Sequence, residues 1–260
     1  MLVIDVGGTH VDVLPNADAM VRAAAEHFVR SAEESVGSRG WFAVALAGGS
    51  TPKSLYTCLA TDPYAGRVDW ARVQVFFGDE RCVPPDNSES NYRMARQTLL
   101  DHVALPPRNL HRIHGEDDPA AAAAAYEREL REAFRTLHGP PGSVPGRRFD
   151  LILLGMGENG HTASLFPGLA VVRETERWVK AEYVAEVSMW RVTLTPVVIN
   201  AAAEVVFLVA GRQKAAMLYR VLAGPRQPYV LPAQVVAPRP GRLRWLVDAD
   251  AAAELQEQPR

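Results

Sequence analysis

FDLILLGMGENGHTASLFPG, residues 149–168, decides how the rest of the chain is read. Its first six residues, Phe149 to Leu154, form an apolar run of the length and composition of a strand buried on both faces. Gly155, Gly157 and Gly160 then permit a tight turn and close approach of backbone to a ligand. His161 follows at once, and Pro167-Gly168 halts any further helix. A strand that delivers glycines and then an imidazole to its C-terminal end places a titratable base in a backbone-lined pocket.

Two other readings compete. Gly155-x-Gly157-x-x-Gly160 fits the dinucleotide fingerprint G-x-G-x-x-G, with Glu182 downstream as a ribose ligand. That motif needs a helix long enough to present its N-terminus to a pyrophosphate, and Pro167 arrives too soon. The plainer alternative is a strand, a loop and an incidental histidine.

The residues around this stretch favour the first reading. GMGENGHTASLFPG closely resembles the signature of 6-phosphogluconolactonases, within the larger family that includes glucosamine-6-phosphate deaminases. Residues 45–52, ALAGGSTP, and 76–84, FFGDERCVP, resemble further blocks of that family in the same order. Weaker likeness continues through residues 191–196 and 211–215, so the resemblance runs from about residue 12 to the C-terminus.

The 260 residues suit one α/β domain over the whole chain, with residues 1–11 as an atypical extension or first strand. A net charge of −2 carries no electrostatic footprint for nucleic acid or an anionic membrane. Lysines occur only at 53, 180 and 214, which makes each worth locating. Cys58 and Cys82 lack metal-ligand spacing and form no disulfide framework, which fits a reducing cytoplasm. No secretory signal or bilayer-length apolar run is visible, so a cytoplasmic protein is expected.

Residues 2–13 contain Asp5-x-Gly7-Gly8-Thr9, which resembles the phosphate loop of actin-like sugar kinases; a first strand with a glycine turn is the simpler reading. Helical spacing runs from Ala17 to about Ser35, the helix ending towards Gly37-Ser38-Arg39-Gly40, and Trp41 to Leu46 reads as a buried strand. Thr51 is placed as N-cap and Pro52 at N1 of the next helix, whose free amides make an anion site of Gly48, Gly49, Ser50 and Thr51. Val73 to Phe77 is a strand ending in the loop Gly78-Asp79-Glu80-Arg81, and Ser88 or Ser90 can cap a helix through Leu99. A short strand at Leu110 to Ile113 precedes an Ala-rich helix, Pro119 to Leu137, with Glu127 and Arg131 paired. His102, His111, His114 and His138 show no ligand spacing and are expected in surface or loop roles. Gly139 to Arg148 reads as a linker. Strands are expected at 178–184, 191–195, 205–210 and 243–247, with helices at 196–203, after Lys214, and at 249–255.

Alternating strands and helices imply an α/β, modified Rossmann-like three-layer sandwich with a mainly parallel sheet flanked by helices. The loops GGSTP, GDER, GMGENGH and GRQK all follow strands and should converge at one sheet edge.

Opening a lactone ester with water needs a base, an oxyanion stabiliser and a grip on the sugar. His161 supplies the base and Arg81 can serve the oxyanion or a ring hydroxyl. Asp79 or Glu80 can orient the histidine or hold hydroxyls. The phosphate falls to the Gly49-Ser50-Thr51 amides with Arg191 and Lys214, in agreement with the family's pattern, and no metal or cofactor is required. The deaminase branch carries a glutamate before the proline of H-x-x-x-x-E-P; here that position is Phe166. Where the family resembles G-x-D-G-H, this chain has Asn159, whose amide can orient the ring but supplies no charge. Glu158 or Asp79 then compensates, or the histidine works at a lower pKa. The resemblance implies hydrolysis of 6-phospho-D-glucono-1,5-lactone. A glucosamine-6-phosphate isomerase and a non-catalytic sugar-phosphate-binding module are the alternatives. A monomer or weak homo-oligomer is expected, with neither nucleic acid nor membrane as partner.

Overall fold

The computed structural model describes residues 2–138 and 148–256. Strands β1 (Leu2–Val6) and β2 (Thr9–Leu14) lead to helix α1 (Ala17–Arg39), then β3 (Phe42–Leu46), α2 (Ser50–Leu59), β4 (Val73–Phe77), β5 (Asp79–Arg81) and α3 (Asn91–Thr98). Next come α4 (Pro119–His138), β6 (Leu151–Leu154), β7 (Val179–Val184), β8 (Met189–Leu194) and α5 (Pro196–Ile199). The described chain closes with β9 (Glu204–Val209), α6 (Ala215–Leu222), β10 (Arg242–Asp248) and α7 (Ala253–Gln256).

Seven strands form one sheet in the order β1-β2-β10-β9-β6-β3-β4. All neighbours from β2 to β4 run parallel and only β1 is antiparallel. Strands β3, β6 and β9 are buried along their whole length, as their unbroken apolar runs require of a sheet covered on both faces. Side-chain alternation shows the two covers. Phe42 of β3 meets Phe28 of α1 edge-on at 5.4 Å, whereas Phe76 of β4 turns the other way to Phe134 of α4 at 5.7 Å. This is the three-layer sandwich expected from the sequence.

Several local expectations are corrected. Gly78 is followed by a strand, not a loop: β5 pairs antiparallel with β8, and β8 with β7, in a separate three-stranded sheet. The first strand with a glycine turn is found as expected: Gly7 and Gly8, both at positive φ, join β1 to β2, and the Gly8 amide donates to Asp5 Oδ1. Leu110 makes one isolated parallel bridge to Val75 rather than a strand. α1 ends at Arg39, with Gly40 at φ 84° after it, in the stretch where its end is expected. α5 and α7 are shorter than the apolar runs around them. Ser90 caps α3, accepting from the Arg93 amide, as anticipated. The expected linker at 139–148 lies outside the described residues but for Arg148.

Candidate active site

Because the central strands are parallel, their C-terminal ends share one edge, and the segments that leave them close around a single cavity. Its lining includes residues 47–52 after β3, Asp79 and Arg81 of β5, Gly155, Met156, Gly157 and His161 after β6, and Lys214 after β9. Asn91 from the start of α3 and Arg191 from β8 complete it. Of the four expected loops, GMGENGH arrives as a loop, GGSTP passes into α2 at Ser50, GRQK winds into a short 3-10 turn over Arg212–Lys214, and GDER arrives as a strand.

The loop after β6 fixes His161. Gly157 donates its amide to the His161 carbonyl (2.8 Å), and Gly160, at φ 80°, donates to Gly157 (3.1 Å). Gly157 has no substitute, since a Cβ there would lie 2.1 Å from the imidazole. No helix follows; Thr162 and Leu165 form an isolated bridge, which removes the dinucleotide reading. Phe166 stacks on the imidazole at 4.0 Å with the planes 14° apart. The Nδ1 atom lies 2.6 Å from Asn159 Oδ1, whose amide NH2 donates in turn to both oxygens of Glu186 (3.1 and 2.8 Å). Burial lowers the His161 pKa from 6.5 to about 4; Asp79 opposes this, while Arg191, Lys214 and Arg81 add to it. The imidazole is therefore neutral at pH 7.

Asp79 is buried, accepting from the Ser164 hydroxyl (2.7 Å) and the Asn91 amide (3.2 Å), with Arg191 Nη1 at 3.9 Å. Asn159, not Asp79, holds the histidine. Glu80, expected as a site residue, does not line the cavity. Its carboxylate accepts from the amides of Arg81, Asn91 and Tyr92 and from the Ser90 hydroxyl, all within 3.0 Å, and so anchors the start of α3. Burial pushes its carboxyl upward, and these four donors pull it back.

Arg81 and Arg191 each keep a buried Nε–H with no hydrogen-bond partner among the described residues. Unmet donors of this kind are costly without a ligand and favourable with an anionic one. Lys214 lies 3.8 Å from exposed Glu158. At α2 the N-cap is Gly49 (φ 102°), not Thr51, and no side chain caps the helix, which leaves the amides of its first turn free. A Cβ on Gly48 would come within 2.0 Å of Asn91 Oδ1, so that glycine is required by packing. Asn91, Ser164 and Glu186 went unread in the sequence; Ser-Glu-Ser-Asn at 88–91 reads as a helix start, and nothing local marks Glu186.

Residues 15–245 match the family described as glucosamine-6-phosphate isomerases/6-phosphogluconolactonase. The chain belongs to this family. A 6-phosphogluconolactonase of Nostoc sp. is 38% identical over 94% of this chain and 98% of its own. One from Synechocystis sp. is 38% identical over 95% and 98%. The solved 6-phosphogluconolactonase of Trypanosoma brucei superposes with a TM-score of 0.81 at 28% identity, covering 96% of this chain and all of that one. Family membership accounts for the order of the three motif blocks; Asn159 and its partner Glu186 are read from this chain's own geometry.

Proposed function

We propose that the protein hydrolyses 6-phospho-D-glucono-1,5-lactone to 6-phospho-D-gluconate, the lactone-opening step of the oxidative pentose phosphate pathway. One observation carries this reading: a neutral imidazole with Nδ1 engaged and Nε2 free stands among three cationic side chains in a single cavity. Nε2 takes a proton from water as the oxygen attacks C1. Arg81 offers a charged donor to the tetrahedral oxyanion. As the C1–O5 bond breaks, the imidazolium returns its proton to the ring oxygen, which leaves as the C5 hydroxyl. The phosphate rests on the free amides of α2 with Lys214 and Arg191. Phe166 supports hydrolysis over deamination, since an aromatic ring cannot transfer the proton that ring opening of an amino sugar demands.

The test is acid release from the lactone, corrected for its spontaneous hydrolysis, with a chelator present. Sustained turnover is expected. Loss of turnover restored only by a divalent ion would overturn the metal-free scheme, and phosphosugar binding without turnover would point to the non-catalytic module.

A further inference from the structure

Asn159 raises a problem of direction. Its side chain has one accepting and one donating end, and either can be offered to a histidine nitrogen. The structure resolves the choice through a residue 27 positions away. Glu186 sits at the tip of the β7–β8 hairpin, in the turn Ala185–Val187 that Ser188 closes at φ 49°. An ionised carboxylate has no proton to donate, so the amide edge that meets both its oxygens is the NH2. The carbonyl edge must then face His161, where it accepts from the backbone N–H (3.1 Å) and from Nδ1 (2.6 Å). Nδ1 must therefore carry the ring proton, and Nε2 is left with its lone pair.

Resting on the lactonase reading of His161, we infer that Glu186 is a positioning residue for the reaction: through Asn159 it selects the tautomer that leaves Nε2 basic. A carboxylate at 159 would hold the same tautomer without help. An amide there has to be told which way to face, and Glu186 supplies that instruction together with the His161 backbone N–H. The two positions are thus coupled. An aspartate at 159 would set two carboxylates about 3 Å apart, where they repel.

The test uses the full chain. In wild type, 15N NMR of the imidazole should show Nδ1 protonated and Nε2 bare at pH 7. Glu186→Ala, an exposed change on a hairpin tip, should mix the tautomers and lower kcat about fivefold, the worth of one hydrogen bond of roughly 1 kcal/mol, with KM unchanged. Glu186→Gln keeps a carbonyl acceptor and should recover most of that loss. Asn159→Asp should be impaired beside Glu186 and restored when combined with Glu186→Gln. An unchanged tautomer and kcat in Glu186→Ala would overturn the inference, as would an Asn159→Asp activity indifferent to residue 186. The ring spectrum reads the tautomer without any substrate, so a wild type inactive on the lactone would sink the functional reading alone.

Discussion

His161 is held neutral by burial and by three cations, and the sign of each effect fixes its pH behaviour. A substrate phosphate in the place proposed for it would bring negative charge to Arg191 and Lys214, offsetting their effect and raising the imidazole pKa in the complex. The acidic limb of kcat is therefore expected at higher pH than that of kcat/KM, measured on one enzyme under one set of buffers; coincident limbs would place the phosphate elsewhere. His161→Asn should leave KM nearly intact and lower kcat by about 10²–10⁴. The same group shapes stability. Its folded pKa lies below the unfolded 6.5, so the unfolded chain binds the proton more readily, and stability drains as pH falls from 6.5 through about 4. Urea unfolding should show wild type losing up to roughly 3 kcal/mol relative to His161→Asn across that window. Lys214→Ala should raise KM about ten- to a hundredfold with kcat little changed, as loss of a charge-assisted phosphate contact predicts.

The element that separates scaffold from chemistry is the pair β5 and α3. Adjacent carboxylates Asp79 and Glu80 point to opposite sides of a strand, one to the cavity and one to the helix start. Glu80→Gln sets an NH2 against amide donors and should cost about 2–4 kcal/mol in urea unfolding, with the pH profile of kcat/KM unaltered. A lost limb in that profile would make Glu80 a proton-transfer group. This is also where sequence reading stops. Val73 to Phe77 and Leu151 to Leu154 declare themselves as buried strands by their apolar runs, and the glycines after Leu154 declare a loop. Asp79 to Arg81 carries no such pattern, because three polar residues become a strand only by pairing with distant β8. Glu186 is invisible for the same reason: its partner Asn159 is reached through a hairpin, not through local spacing. Thr51 looked like a cap because its side-chain chemistry suits one, whereas the backbone freedom of Gly49 set the helix start.

Across the whole molecule, the parallel order of β2 to β4 lets four sequence-distant segments meet, and that convergence was legible because strand–loop–helix alternation alone dictates it. The ends of the sheet are treated differently. β1 shields β2, whose Val11 and Val13 are buried, and it touches none of the cavity. Deleting residues 1–8 should leave kcat/KM unchanged while lowering Tm and promoting concentration-dependent aggregation through the bared β2 edge, read by light scattering. A fall in kcat/KM of the soluble fraction would show the hairpin reaching the site after all.

Phe166 lies face-on to His161, with the Arg191 guanidinium 5.5 Å from its ring. In the deaminase signature H-x-x-x-x-E-P, which this stretch resembles, a glutamate stands at that place. Seen as a path between two enzymes, that exchange is no single step. A carboxylate at 166 would strip the imidazole of its stacking surface and draw Arg191 towards itself. Phe166→Glu is expected to lose lactone hydrolysis without gaining deamination, so the two activities stand on separate peaks with an inactive intermediate between them.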